Sequence, residues 1–231
     1  MKKILIAMAL AAVAAPLAAQ ATDSNGIGYT YVQLDYVNVT GSGHDARADG
    51  ASLSGSYQFA NNFQVFGSYT DLRSPTYSSS DYASGYTYGT TDKFKDRPWS
   101  LGMGYAASIG SQADWVTQVS YTHDRVSDHY CAWARSATAS ASRCGNISTD
   151  GNLWAVNTGV MGRIVNNLVA NAYIGYSNGG RYSHEGPGIL GNVYADFGLV
   201  YSFNPTWALH GGVRVNNNGS ENVSVGVRAS F

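Results

Sequence analysis

The sequence predicts an all-β chain, an antiparallel up-and-down transmembrane barrel of ten strands, with eight strands as the second choice. Three observations carry this expectation. Residues 222–231 read NVSVGVRASF, with Val223, Val225, Val227, Ala229 and Phe231 at every second position and Ser224, Gly226, Arg228 and Ser230 between them. Side chains alternate faces along a strand, so this stretch has one apolar face and one small or polar face. The alternation recurs in earlier segments, with few charges on the apolar face. Short and long connections also alternate along the chain, which suits a barrel with short turns at one membrane face and long loops at the other. A soluble sandwich shares the alternation but has no reason to sort its connections by length.

Composition agrees with this reading. Charged residues are 13% of the chain, Gly and Tyr are abundant at 27 and 17, and Pro is scarce at 5. Mean hydropathy is −0.18, a soluble-looking value that a barrel also gives, because lipid-facing and lumen-facing residues average out. A net charge of −1 gives no sign of a nucleic-acid partner.

The chain opens MKKILIAMALAAVAAPLAAQA, which reads as a secretory signal peptide. Lys2 and Lys3 form the basic start, residues 4–15 the apolar core, and Ala19-Gln20-Ala21 the small-residue cleavage site. The apolar run is short for a membrane anchor. Cleavage leaves residues 22–231 as a single barrel domain.

The first strand begins at Thr30, with Thr30, Val32, Leu34 and Tyr36 on one face and Tyr31, Gln33 and Asp35 on the other. TGSGHDARADG breaks it with turn formers. Residues 51–59 set Ala51, Leu53, Gly55, Tyr57 and Phe59 against Ser52, Ser54, Ser56 and Gln58. The break Ala60-Asn61-Asn62 leads to Phe63, Val65, Gly67 and Tyr69. A long polar stretch, 71–98, is expected as a loop. Trp99, Leu101, Met103 and Tyr105 follow, then Trp115, Thr117, Val119 and Tyr121. A second expected loop, 123–151, holds both cysteines. Trp154, Val156, Thr158 and Val160 lead through Val165-Asn166-Asn167 to Leu168, Ala170, Ala172, Ile174 and Tyr176. The loop NGGRYSHEGPG precedes Val193, Ala195, Phe197, Leu199, Tyr201 and Phe203. Asn204-Pro205-Thr206 turns into Trp207, Leu209, Gly211, Val213 and Val215, and NNGSE connects to the last strand.

If the N-terminus is periplasmic, Phe59, Phe63, Trp115, Phe203, Trp207 and Phe231 lie at the periplasmic interface. Tyr36, Tyr69, Trp99, Tyr121, Trp154 and Tyr176 then lie at the outer one. Two aromatic girdles follow from one assignment.

The segments NFQVFGSY (from Asn62), LVANAYIGY (from Leu168) and YSFNPTWAL (from Tyr201), with the final strand, resemble a family of small outer-membrane β-barrels of plant- and soil-associated bacteria. Members of that family are linked to diffusible-signal-controlled genes and host sensing. The resemblance spans essentially the mature chain and brings no catalytic motif. The chain departs from the family in its larger second and third outer loops and in its cysteine pair.

Treating each short turn as a hairpin centre sets an expected register. Asp196 falls opposite Arg214, as a lumen-spanning ion pair that narrows the barrel, and pairing of Asn216 with Asn222 puts His210 opposite Arg228. Gln58 faces Gln64 and Ser54 faces Ser68. A polar interior that satisfies itself is favoured over an ion path, since opposite charges cancel. Cys131 and Cys144 are expected to be bonded, because the chain is exported. The bond is expected in a loop, away from any strand. Phe231 is the expected assembly signal, where the last strand must find the first and remove both edges.

Tyr77, Tyr82, Tyr86 and Tyr88 lie among Ser, Thr and Gly in the second outer loop, a composition that suits a binding surface. His123, Asp124, Asp128 and His129 fall near the outer rim, where barrel hydrolases place acid–base residues. No nucleophile motif accompanies them, and no cluster has metal-ligand spacing. The expected role is therefore non-catalytic and free of cofactors: surface recognition, adhesion or envelope structure through outer loops. The alternatives are a narrow channel for ions or small solutes, and a loop-based hydrolase. Expected partners are outer-membrane lipid and lipopolysaccharide, the barrel-assembly machinery and a host or bacterial surface ligand. The expected location is the outer membrane, with both termini periplasmic and the long loops outside.

Overall fold

A computed structural model describes residues 26–41, 47–60, 62–178 and 192–231. Among the described residues twelve strands form: β1 (Tyr31–Thr40), β2 (Arg47–Ala60), β3 (Phe63–Arg73), β4 (Tyr77–Ala83), β5 (Tyr86–Asp96), β6 (Trp99–Ser108), β7 (Ala113–Arg135), β8 (Ser140–Val165), β9 (Leu168–Asn178), β10 (Asn192–Ser202), β11 (Trp207–Asn216) and β12 (Glu221–Ser230). Ten of them close a ring in the order β1-β2-β3-β6-β7-β8-β9-β10-β11-β12. β12 pairs back onto β1 from Tyr31↔Ser230 to Thr40↔Glu221, so the ring has no free edge. Every pairing is antiparallel.

Solvation is inverted relative to a soluble sandwich. Leu101, Met103, Ile174 and Val225 are each more than half exposed on the outside, whereas Gln33, Ser56, Gln58 and Gln64 are buried inside. Water cannot favour that arrangement, and a hydrocarbon surround does. Inter-strand hydrogen bonds satisfy the backbone around the whole ring, the condition for crossing lipid with strands.

The two regions expected as loops are strands instead. Residues 77–96 form the β4–β5 hairpin, and β5 runs along β7 from Thr87↔Arg135 to Asp96↔Val126. β7 has 23 residues and β8 has 26, about twice the 9–11 that a tilted strand needs to cross a bilayer. Their projecting halves stand beyond the membrane, where both faces are wet. The apolar–polar alternation that marks the membrane part therefore vanishes there while the ladder continues. Ser84 and Gly85, with φ of 53° and 80°, turn the β4–β5 hairpin. A two-residue turn of this kind matches the twist of its strands and needs positive φ at both positions.

Asn62, between β2 and β3, and the short turns at 109–112, 166–167 and 203–206 share one rim with both chain ends of the ring. The β4–β5 hairpin and the β7–β8 tip at 136–139 share the other. Asn178, the first residue of the expected loop NGGRYSHEGPG, ends β9, and the rest of that loop and the signal peptide lie outside the described residues. Phe59, Phe63, Trp115, Phe203 and Trp207 are exposed around the short-turn rim, with Phe63 stacked near Phe59 and edge-on to Tyr105. At the other membrane boundary Trp99, Tyr121 and Trp154 form a row, with ring centroids 5.7 and 5.0 Å apart.

Residues 26–30 turn into the lumen at the short-turn rim. Ile27 and Tyr29 are buried against Ala106, Val116, Met161 and Tyr173. Alternation in the sequence starts at Thr30 and carries no sign of this inward segment.

Candidate functional site

The interior polar side chains come from the inward positions of neighbouring strands, and register decides which of them meet. Asp196 and Arg214 are direct partners on β10 and β11. Arg214 Nη2 and Nε donate to Asp196 Oδ2 at 2.7 and 3.0 Å, and the guanidinium lies 4.6 Å over the Tyr194 ring. Because the two strands are adjacent, the pair lies along the wall and does not bridge the lumen. The side chains are 45% and 27% exposed, so water reaches them.

The register expected between β11 and β12 is corrected. His210 lies opposite Gly226, and Arg228 lies opposite Ala208. The connection is tighter than the NNGSE string suggests: Asn216 N–H donates to Ser220 O, and Asn216 Nδ2 donates to Ser220 Oγ. The shift gives both residues other partners. His210 Nδ1 lies 2.9 Å from Asp35 Oδ1. Arg228 Nε donates to Gln33 Oε1 at 2.7 Å, and its guanidinium lies 3.8 Å over the Tyr31 ring. Gln33 Nε2 donates to Asp35 Oδ2 at 2.6 Å, joining the two halves into one network across the β1–β12 seam. At the short-turn rim Tyr29 Oη and Ser108 Oγ donate to the two oxygens of buried Asp114. A cavity of about 610 Å³ remains, lined by hydroxyls, amides and charges of both signs.

At the long-hairpin rim, strand period decides the fate of the expected acid–base residues. Odd-numbered residues of β7 continue the lipid-facing side and even-numbered ones the lumen side. His123 packs on Trp99 and pairs through Nδ1 with Asn152 Oδ1, on the outer face. His129 pairs with Asn146 Oδ1 on the same face. Asp124 and Asp128 are therefore turned away from the histidines next to them in sequence, so neither His-Asp neighbour pair forms a dyad.

Cys131 and Cys144 are bonded and directly opposite each other in the β7–β8 ladder. Both belong to strands, contrary to the loop placement expected from the sequence. His129 Nε2 lies 3.6 Å from Cys131 Sγ. The sulfurs are bonded to one another, so this trio offers no thiolate ligand.

The tyrosines of the second hairpin divide by face. Tyr77, Tyr86 and Tyr88 share one side and Tyr82 takes the other. Tyr82, Tyr86 and Tyr88 are 69%, 50% and 43% exposed, whereas Tyr77 Oη is tied to the backbone of Arg47. Above the lumen, burial and a hydrogen bond with Asp92 raise the Asp128 carboxyl from 3.8 to about 6.

No protein-family model matches the chain, and no curated protein matches it in sequence. Solved structures do. The translocator domain of autotransporter NalP from Neisseria meningitidis is similar over 99% of this chain and 96% of that one, at 11% identity and a TM-score of 0.51. Neisserial surface protein A is similar over 88% and 96%, at 17% identity and a TM-score of 0.41. KdgM porin, in complex with disordered oligogalacturonate, is similar over 86% and 99%, at 14% identity and a TM-score of 0.42. These are bacterial outer-membrane barrels, and the NalP translocator domain shares the barrel fold of this chain.

Proposed function

We propose that this protein is an integral outer-membrane barrel that presents its long hairpins for surface recognition or adhesion, without catalysis. Residues 1–21 are removed on export, both ends of the mature chain are periplasmic, and the long-hairpin rim faces outward. The observation that carries the reading is the β4–β5 hairpin, held in register along β7, with Tyr82, Tyr86 and Tyr88 exposed on it. Tyrosine on a rigid frame offers amphipathic contact area at low entropic cost. The separation of His123 and His129 from their neighbouring aspartates supports the non-catalytic part.

The decisive experiment is binding of the folded protein to arrayed host and bacterial surface molecules, beside Tyr82→Ser, Tyr86→Ser and Tyr88→Ser combined. Binding lost in the triple variant supports the reading, and binding unchanged refutes it. Orientation has a separate check: cysteine at Gly85 should react with a membrane-impermeant reagent on intact cells, and cysteine at Asn166 should not. Phe231 then serves as the assembly signal recognised by the barrel-assembly machinery, and its deletion should leave chain in the periplasm.

A narrow channel is the second reading, since the polar cavity favours it. The inward segment at residues 26–30 weighs against open conduction.

A further inference from the structure

One outer face of the long-hairpin rim carries cations where a sheet should avoid them. Arg73 and Lys95 are direct cross-strand partners on β3 and β5. Arg97 N–H donates to Arg125 O at 3.0 Å, which sets these two arginines opposite each other as well. Like charges directly opposite on one face are destabilising. Lys93 adds a fifth cation opposite His129. Against these stand three carboxylates, of which Asp49 on β2 is the direct cross-strand partner of Arg73. Asp71 is shared by Arg73 and Arg97 at 3.4 and 3.7 Å, and Asp150 lies 3.6 Å from Arg125. Among the described residues neither lysine has an ion-pair partner.

The same face is graded along its height. Leu101, Met103 and Val119 are exposed at membrane depth. The row Trp99–Tyr121–Trp154 lies above them, and the cations lie above the aromatic row. A ligand matching this order has acyl chains, then sugar, then phosphate.

We propose that Arg73, Lys95, Arg97 and Arg125 bind the phosphate groups of a phosphorylated glycolipid in the adjacent leaflet, with the sugar against Trp99 and Tyr121. Guanidinium groups pair with phosphate through two parallel donors, and an anion between them turns the two repulsive pairs into bridges. The proposal rests on the reading that the long-hairpin rim lies in the outer leaflet.

The test uses the folded protein in phosphocholine nanodiscs, titrated with diphosphoryl lipid A and with the same lipid A dephosphorylated. Lipid reaches both rims of a nanodisc, so the result is independent of orientation in the cell, which the Gly85 and Asn166 labelling reads separately. Native mass spectrometry should show diphosphoryl lipid A retained at least tenfold more than the dephosphorylated form. Lys95→Gln, Arg97→Gln and Arg125→Gln combined should abolish that preference, with the barrel's heat-modifiable gel mobility showing that it still folds. Lys95→Arg should keep it. Equal retention of the two lipids by wild type, an unchanged preference in the triple variant, or displacement by millimolar inorganic phosphate would each overturn a glycolipid site.

Discussion

Asp35 on β1 and His210 on β11 meet across Gly226, the residue of β12 that lies opposite both. Their contact at 2.9 Å spans an intervening strand, and it exists because that strand has no side chain there. A Cβ on Gly226 would lie 2.0 Å from Leu34 O and 2.4 Å from Asp35 Oδ1. The glycine therefore permits the network that fastens the closing seam of the barrel.

Gly226→Ala should destabilise the barrel, since the nearest obstruction is backbone and cannot rotate away. Overpacking of this kind costs about 1–3 kcal/mol. Gly211→Ala is the matched control, because a Cβ there meets nothing within 4 Å. Urea unfolding of the refolded barrel should separate the two variants; equal midpoints would contradict the role given to Gly226.

The membrane part of this fold was legible because hydrocarbon outside and polar atoms inside force a two-residue period on every strand. Leu101 and Gln64 announce their faces by type alone. Where that contrast ends, so does the signal: β7 and β8 continue through His123 and Asp150 with polar residues on both faces, and the sequence reads as loop. Register was legible around Asn204-Pro205-Thr206, where both flanks alternate up to the turn, and Asp196 with Arg214 followed from it. It was not legible around residues 217–220, because several polar residues in a row fit more than one turn length. His210 and Arg228 were misplaced for that reason. The cationic face was hidden more deeply, since Arg73, Lys95 and Arg125 become neighbours only once the β4–β5 hairpin pairs with β7.

Replacing Cys131 and Cys144 together by serine should loosen the projecting half of the β7–β8 ladder and leave the membrane half intact. Their sequence separation is 13, and closing a loop of that size contributes about 3 kcal/mol, mainly through the unfolded ensemble. Hydrogen exchange should rise in residues 127–148 and stay slow in residues 115–121. Faster exchange in both would show that the bond supports the whole barrel.

Pairing of β5 with β7 should weaken as pH rises. Asp128 titrates at about 6 in the folded hairpin against 3.8 when unfolded, because burial and Asp92 disfavour its charge. The folded hairpin therefore binds more protons than the opened one between these values. Its extra stability is complete below pH 3.8 and is lost as pH passes 6. Protease cleavage near Ser84 should be slower at pH 5 than at pH 7.5, and Asp128→Asn should remove that difference. A pH dependence that survives Asp128→Asn would assign it to another group.

The lumen should conduct poorly, and the N-terminal segment should be the reason more than the Asp196–Arg214 pair. That pair lies along the wall with water access, so removing one partner should cost well under the about 3–5 kcal/mol of a broken buried pair. Ile27 and Tyr29, by contrast, fill the short-turn end of the lumen, and Tyr29 is anchored to buried Asp114 at 2.8 Å. A ring of this size is only slightly wider than the eight-stranded kind that side chains nearly fill, so one inward segment is enough to close it. In planar bilayers the wild type should show little current. Ile27→Ala with Tyr29→Ala should raise it, whereas Asp196→Ala with Arg214→Ala should change it little. Large steady current in the wild type would replace the recognition reading with the channel, and a larger gain from the charge pair than from the segment would move the constriction to the wall.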